Sequence, residues 1–306
     1  MSEVPAVPTG FRVPGKCISG PPDMETWYKS MGYRMIHQFI AAVNTACRSK
    51  DMEELGAPSE HITAILSVLD VLEATIEEVP PIKKRMRFGN LAFRDLCTVC
   101  DGKAIPLHEE MLPEHDHPAI VELCFYLVNS LGDRNRIDYG TGHELNFLVW
   151  LIGLYRIGFL VKSDLAHIGL TVYWRYLHLV QKVQEVYTLE PAGSHGVWLV
   201  DDFQLLPFVW GSSQLVENGM YELSDIHKPL SVSGGSKAYL YFDMVRHIIK
   251  EKGSRLDEVT PFLADIHRSS PSWRHMNAGF LRMYEDDVLR KWVVVQHLYF
   301  GALLPY

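Results

Sequence analysis

Residues 140–159 read GTGHELNFLVWLIGLYRIGF, and they carry the strongest indication of the fold in the sequence. Its apolar part, Phe147 to Tyr155, is the longest apolar run of the sequence, and Arg156 closes it. A membrane-spanning helix needs roughly 20 apolar residues, and this run supplies about half of that length. The run therefore predicts a helix at about 143–159 that is buried inside a protein.

Apolar residues recur at three-to-four spacing on both sides of this helix, which is typical of helices that present one face to a core. Further helices are predicted at about 23–43, 58–79, 90–110, 117–130, 163–187, 202–216, 236–252 and 274–299. Pro207 lies inside one of them, so that helix is kinked or begins late. Residues 217–235 look irregular, and no series of alternating strands is present. The sequence predicts an all-α fold, with one multi-helix unit at 23–306 and an extended arm at 1–22.

Composition narrows the classes of partner and compartment. The 306 residues are 47% hydrophobic and carry a net charge of −8, which favours a large core and an acidic surface. Such a surface repels phosphate backbones and anionic lipid headgroups, so we expect neither nucleic acid nor a membrane as partner. No basic segment followed by an apolar run opens the sequence, so no secretory signal is expected. Five cysteines are an odd number, which favours free thiols in the cytoplasm or nucleus.

The first candidate binding motif runs from Arg136 to Glu144. Two glycines flank Thr141 directly before the apolar helix, so the loop offers backbone N–H groups and a helix N-terminus to an anion. Arg136 could add a charged fork to a phosphate. No lysine follows the second glycine, so this is not the phosphate loop of many nucleotide hydrolases. The alternative is a plain helix N-cap containing glycine, with Asp138 accepting hydrogen bonds from loop amides.

The second motif runs from Glu190 to Phe203 and gathers glycines, His195 and the paired carboxylates Asp201 and Asp202. Either carboxylate could cap the helix that follows, or help to hold Mg²⁺ together with backbone carbonyls and water. Adjacent carboxylates point in different directions, which disfavours a clamp made by both. Capping and cation binding therefore both stay open.

Aromatic residues crowd the same region of the sequence. They are Trp198, Phe203, Phe208 and Trp210. Most of them are expected in the core, and a minority could line an apolar groove for a proline ring. Other patterns are weaker: Cys97 and Cys100 lack a second pair of thiols for a metal site, and His108, His115 and His117 read as a solvated polar segment.

Several segments together resemble the phosphotyrosyl phosphatase activator family. They are Arg87–Asn90, Arg136–Glu144, Glu190–Trp198, Asp201–Phe208, Trp210–Leu215, Gln296–His297, Phe300–Gly301 and Leu303–Pro305. Their order and spacing also resemble the family, from about residue 23 to the C-terminus. The resemblance departs at Leu199, where the family has Gly, at Val293, where it has Pro, and at Arg274, where it has Ser. The last two changes are expected to affect packing more than chemistry.

The resemblance implies an all-α assembly with core, linker and lid parts. It implies binding to the catalytic subunit of protein phosphatase 2A, and an ATP- and Mg²⁺-dependent peptidyl-prolyl cis/trans isomerase that acts on proline-containing peptide. A homodimer induced by peptide is also implied. The alternative is a non-catalytic, chaperone-like binding module that uses ATP to remodel the phosphatase catalytic subunit and its metal site.

The resemblance also assigns roles to residues of this chain. The positions that match the nucleotide-contacting parts of the family are Arg136, Thr141, Gly142, His143, Gln296 and His297. Gly196 and Asp202 match the magnesium-associated positions. From their crowding beside these motifs, Trp198, Asp202, Phe203 and Trp210 are hypothesised to border the peptide groove and to act in catalysis. No nucleophile is needed, because prolyl isomerisation breaks no covalent bond.

Overall fold

Helices account for most of the computed structural model, which describes residues 8–84, 87–193, 200–253 and 255–306. The α-helices are α1 (Met24–Lys29), α2 (Met31–Cys47), α3 (Glu60–Glu78), α4 (Phe93–Met111), α5 (Ile120–Asn129), α6 (Thr141–Arg156), α7 (Leu165–His167), α8 (Tyr173–Tyr187), α9 (Leu206–Leu215), α10 (Pro229–Gly235), α11 (Leu240–Lys252), α12 (Leu256–Val259), α13 (Pro261–Ser269), α14 (Trp273–Tyr284) and α15 (Trp292–Val295). The predicted all-α fold is confirmed. Among the described residues, no helix combines the length and apolar content needed to cross a membrane.

The apolar run found in the sequence forms α6, and this helix lies in the centre of the core. Its residues from Leu145 to Leu154 are all buried. It packs against α5 and α2, and the ring of Phe147 stacks on Tyr176 of α8 with centroids 3.6 Å apart. A helix surrounded by others must be apolar on every face, which explains the continuous apolar run. The predicted buried helix is confirmed.

His108 corrects the interpretation of its segment as a solvated loop. It is fully buried on α4, its Nδ1 lies 2.8 Å from the Ala104 carbonyl oxygen, and its Nε2 accepts from Trp150 Nε1 at 2.8 Å. The carbonyl can only accept, so Nδ1 carries the proton and the ring is neutral. Burial lowers the pKa of His108 to about 4, and this neutral ring ties α4 to α6.

Other predicted helices are interrupted in the structure or end at different residues. The helix predicted at 163–187 contains a π-helical segment at Ile168–Val172, and the one predicted at 274–299 ends at Tyr284 before a second π segment, Glu285–Leu289. Residues 217–235 are not wholly irregular, since α10 lies within them. The helix predicted at 202–216 begins late, as α9, with Pro207 in its first turn, where a missing N–H costs nothing.

Two short ladders tie distant parts of the chain together. Strand β1 (Gly15–Lys16) pairs antiparallel with β4 (Tyr299–Phe300). Strand β2 (Asp138–Tyr139) pairs in parallel with β3 (Glu190–Pro191). No larger sheet is present in the described part of the chain. The first ladder fastens the N-terminal arm to the C-terminal segment, and the second brings the two sequence motifs side by side.

Buried charges hold the two ends of the chain in place. Glu122 is fully buried, and its carboxylate accepts from the backbone N–H groups of Arg12 at 3.1 Å, Ala302 at 2.8 Å and Leu303 at 2.7 Å. Arg156, which closes α6, donates to the Leu303 carbonyl oxygen at 2.9 Å. These bonds satisfy groups that would otherwise be buried without partners. The arm and the C-terminus are therefore positioned by the same carboxylate.

Candidate functional site

A cleft of about 400 Å³ lies where the two motifs meet. Because Asp138 pairs with Glu190 and Tyr139 with Pro191, two loops that are distant in sequence lie side by side. The cleft is lined by Thr141 from the first motif and by Asp202 from the second. The structure thus brings both motifs to one hollow.

Six of the residues with predicted roles line this cleft. They are Arg136, Thr141, Gly142, His143, Asp202 and His297. Gln296 precedes His297 but is not among the lining residues, and its Nε2 donates to the Val293 carbonyl oxygen at 3.2 Å. Gly196 and Trp198 lie outside the described residues, as does Leu199.

Trp210 corrects the hypothesised peptide groove. Its side chain is fully buried, its Nε1 donates to the Ile40 carbonyl oxygen at 3.3 Å, and its ring meets the edge of Tyr173 with centroids 5.0 Å apart. Phe203 is only half-buried, but it is not among the lining residues either, and its ring lies beside Tyr139 with centroids 6.3 Å apart. Aromatic crowding in the sequence reflected core packing at Trp210, because α9 is buried along its whole length.

The N-terminus of α6 forms one end of the cleft. Its N-cap is Gly140, and no side chain caps the first turn there. The amides of Thr141 and Gly142 belong to this turn, whose N–H groups have no carbonyl partner within an α-helix. His143 Nδ1 lies 2.8 Å from the Asn129 carbonyl oxygen, so Nδ1 carries the proton. This end offers the N–H groups and positive helix dipole that bind anions.

Arg136 stands beside this helix end in a network of carboxylates. Its Nε donates to Asp138 Oδ2 at 2.7 Å, and its Nη1 lies 3.2 Å from Asp133 Oδ2. Burial by itself would raise the pKa of Asp138, but the charge of His143, whose Nε2 lies 3.8 Å from Asp138 Oδ1, and the hydrogen bond and charge of Arg136 outweigh it and lower the pKa. The loop amides of Asn135 and Arg136 donate to Asp133. The expectation that Asp138 would accept from loop amides was therefore wrong.

The segment Arg87–Asn90 packs against the loop of the first motif. Ile137 holds a positive φ of 56°, a conformation that β-branched residues rarely adopt. A Cβ on Gly89 would lie 2.4 Å from Ile137 Cγ2. Asn90 donates to the Ile82 carbonyl oxygen at 2.9 Å and accepts from the Ile82 N–H at 3.1 Å. Gly89 is therefore required for contact with the first motif.

Asp201 and Asp202 line the same cleft from the second motif. Asp201 Oδ2 accepts from the N–H groups of Phe203 at 2.8 Å and Gln204 at 2.9 Å. Burial raises the pKa of Asp201 to about 6, although these bonds oppose the shift. Asp202 Oδ2 lies 3.1 Å from Lys252 Nζ. Because α9 begins only at Leu206, neither carboxylate caps it, and the capping interpretation was wrong.

The cap of α9 comes from Glu144, in the first motif. This fully buried carboxylate accepts from the N–H groups of Leu205 at 3.2 Å and Leu206 at 3.0 Å, and from the Tyr173 hydroxyl at 2.5 Å. Burial raises the pKa of Glu144 to about 7, although these hydrogen bonds oppose the shift. Local sequence holds no signal for this contact, because 61 residues separate Glu144 from Leu205. Glu144 fixes one side of the cleft to the other.

Two buried oxygen atoms of residues that line the cleft have no hydrogen-bond donor in the described part of the chain. They belong to Asp138 Oδ1 and Asn146 Oδ1. The Asn146 side-chain Nδ2 donates to the Gly142 carbonyl oxygen at 2.8 Å, which fixes the orientation of the amide. Buried acceptors without a donor are uncommon in proteins. A ligand hydroxyl, or water bound to a cation, would satisfy them.

Sequence reasoning missed several residues of the cleft. Lys16, Asp133, Asn146, Asp287 and Lys291 all line it. Val293, expected to affect packing, is 55% exposed and also lines the cleft. Most of them come from segments far from either motif, so only the folded chain reveals them.

A sequence profile of the family described as phosphotyrosyl phosphate activator (PTPA) protein matches residues 14–306. The chain belongs to the PTPA family.

Relatives and a solved structure agree with this membership. Probable serine/threonine-protein phosphatase 2A activator 1 of Dictyostelium discoideum is 37% identical over 97% of this chain and 91% of its own length. The serine/threonine-protein phosphatase 2A activator of Drosophila melanogaster is 35% identical over 93% of this chain and 71% of its own length. The crystal structure of the PP2A phosphatase activator Ypa1 superposes with a TM-score of 0.90 at 29% identity, covering 99% of both chains. The resemblance drawn from the sequence segments is confirmed, and the cleft lies within the part of the chain that the PTPA profile matches.

Proposed function

We propose that this PTPA-family chain activates protein phosphatase 2A by binding its catalytic subunit, and that its cleft binds ATP together with Mg²⁺. The names of its relatives support the first part. The second part rests on one observation: the open N-terminus of α6, with Arg136 and His143, and the carboxylates Asp201 and Asp202 line the same cleft. Anion-binding and cation-binding groups therefore share one hollow.

The residues of the cleft fit a magnesium nucleotide. Arg136, His143 and the amides of Thr141 and Gly142 would hold phosphate oxygens. Among the described residues, no group of three or more His, Cys, Asp or Glu is arranged to hold a metal ion. This suits Mg²⁺, which usually binds through one or two carboxylates, substrate phosphates and water. Asp202 would be such a carboxylate, and the cation would neutralise phosphate charge.

We propose prolyl isomerisation as the reaction of the cleft. The uncatalysed barrier is about 18–20 kcal/mol because twisting the amide removes its resonance. An apolar wall lowers it by binding the less polar twisted amide better than either planar form. Val200, Leu205, Val293 and Val294 supply apolar surface in the cleft. Asp202 stays a candidate to border the peptide, whereas the buried Trp210 does not. The peptide-induced homodimer and the cellular compartment remain predictions.

The alternative is a non-catalytic module that uses ATP to remodel the phosphatase and its metal site. The burial of Trp210 favours it, because one of the four residues hypothesised to contact a peptide is unavailable. Measuring phosphatase activation and peptide isomerisation across one set of variants separates the two. Activation that survives complete loss of isomerisation would support the alternative.

Arg136→Gln is expected to weaken ATP binding at least about tenfold, because a charge-assisted hydrogen bond contributes roughly 1.5–3 kcal/mol. Isothermal titration calorimetry with Mg²⁺–ATP measures this, and phosphatase activation should fall in parallel. The matched control is Arg134→Gln, two positions away, whose side chain pairs with Asp101 and does not line the cleft. Equal affinity of wild type and Arg136→Gln would contradict the nucleotide proposal, provided that circular dichroism shows both folded.

Asp202→Asn is expected to lessen the effect of Mg²⁺ on ATP affinity, since it removes the charge that faces the cation. The same titrations with and without Mg²⁺ test this. The control is Asp265→Asn, whose carboxylate pairs with Arg268 on α13. An unchanged Mg²⁺ effect in Asp202→Asn would exclude this carboxylate as a magnesium ligand.

A further inference from the structure

The lysine and arginine side chains that line the cleft differ in their partners. Arg136 is paired with Asp133 and Asp138. Lys291 Nζ lies 2.8 Å from Asp287 Oδ1. Lys16 also lines the cleft, and among the described residues no carboxylate oxygen lies within ion-pair distance of it. None of the described carboxylates therefore neutralises its charge.

The backbone around Lys16 is held firmly, although the residue precedes the helical unit. In the β1–β4 ladder Lys16 is paired with Tyr299, whose carbonyl oxygen accepts from the Tyr126 hydroxyl at 3.0 Å. Ile18 is buried two residues further on. Four residues earlier, the Arg12 N–H donates to the buried Glu122. Contacts on both sides therefore hold the backbone of Lys16 at one position.

The side chain of Lys16 lies with the other positive groups of the cleft. Its Nζ is 5.2 Å from the ring centroid of Tyr299, which also lines the cleft. Burial lowers the pKa of His297, and the positive charges of Arg136, Lys16 and His143 lower it further. Asp133 opposes them more weakly, so the local field at His297 favours an anion.

We propose that Lys16 binds the phosphate groups of the ligand, so that the N-terminal arm is one wall of the binding site. This inference rests on the proposed function and adds a residue outside both motifs. A lysine without a carboxylate partner among the described residues, in the same cleft as Arg136 and the N-terminus of α6, suits a polyphosphate better than a singly charged anion, since several phosphate groups can reach several of these groups at once.

The test compares wild type, Lys16→Gln, Lys16→Arg and Arg12→Gln by calorimetric titration with Mg²⁺–ATP, inorganic tripolyphosphate and adenosine. Arg12 is the control because it lies on the same arm and carries the same charge, but its side chain does not line the cleft. Lys16→Gln is expected to weaken binding of ATP and tripolyphosphate about tenfold. Lys16→Arg and Arg12→Gln should bind as wild type, and affinity for adenosine should not change.

The dependence of ligand affinity on salt concentration provides a second test of the role of Lys16. The side chain of Lys16 is exposed, and charges in water are screened over about 10 Å at 0.1 M ionic strength. The difference in ATP affinity between wild type and Lys16→Gln should therefore become smaller as the ionic strength rises. If wild type and Lys16→Gln bind ATP with the same affinity at low salt, and also bind tripolyphosphate with the same affinity, this inference is overturned and the proposed function is not. Failure of wild type to bind ATP and tripolyphosphate would end the nucleotide part of the proposed function together with this inference.

Discussion

Replacing Glu144 with alanine is expected to lower the free energy of unfolding by about 3–5 kcal/mol, since it strands buried donors. The N–H groups of Leu205 and Leu206 and the hydroxyl of Tyr173 donate to this carboxylate. Each buried donor left without an acceptor costs roughly 1–3 kcal/mol. Urea denaturation followed by circular dichroism measures the loss. ATP binding should fall as well, because Glu144 joins the two sides of the cleft.

The control is Glu185→Ala, an exposed glutamate on α8, which is expected to change stability by less than about 0.5 kcal/mol. Equal stabilities of Glu144→Ala and wild type would show that the buried contacts of Glu144 are not formed in solution.

The variant Glu144→Gln tests the raised pKa of Glu144 through the pH dependence of stability. Burial raises the pKa of Glu144 from 4.5 to about 7. Between these values the folded protein binds more protons at this site than the unfolded chain, so the contribution of Glu144 to stability falls as pH rises. Glutamine does not titrate. The stability of wild type minus that of Glu144→Gln should therefore decrease from about pH 4.5 to about pH 7. A constant difference would contradict the raised pKa.

Gly211→Ala is expected to destabilise the protein by about 3 kcal/mol or more, through a clash between the new Cβ and the backbone of a neighbouring helix in the core. A Cβ at Gly211 on α9 would lie 2.4 Å from the backbone N of Tyr241 on α11 and 2.8 Å from its Cα. Backbone atoms cannot move aside as the end of a flexible side chain can. Thermal denaturation gives the loss as a lower melting temperature.

Gly279→Ala is the matched control, since this glycine also lies inside a helix, α14, and a Cβ there would meet nothing within 4 Å. Alanine favours a helix over glycine by about 1 kcal/mol, so Gly279→Ala should be neutral or stabilising. A Gly211→Ala protein as stable as Gly279→Ala would mean that α9 and α11 are not as closely packed as described.

The close packing of α9 against its neighbours explains the residues found at Trp210–Leu215, one of the segments that resemble the family. Ser213 Oγ donates to the Asn44 carbonyl oxygen of α2 at 2.5 Å, and Asn277 of α14 donates to the Val209 carbonyl oxygen at 2.7 Å. Small and hydrogen-bonding residues let α9 lie close to three helices at once. The stretch therefore serves packing, and it carries no side chain to the cleft.

Patterns in the amino-acid sequence were enough to predict the all-α class, the buried central helix, the family and most of the glycine-containing loop that lines the cleft. The family follows from the order and spacing of several short segments, and the others depend on residues that are near neighbours in the chain: an apolar run closed by Arg156, or glycines beside Thr141. The packing of the helices was needed to show that Glu144 caps α9, that Trp210 is core and that Lys16 lines the cleft. Those contacts join residues far apart in sequence, because buried donors, carboxylates and backbones must find partners wherever the packed helices place them.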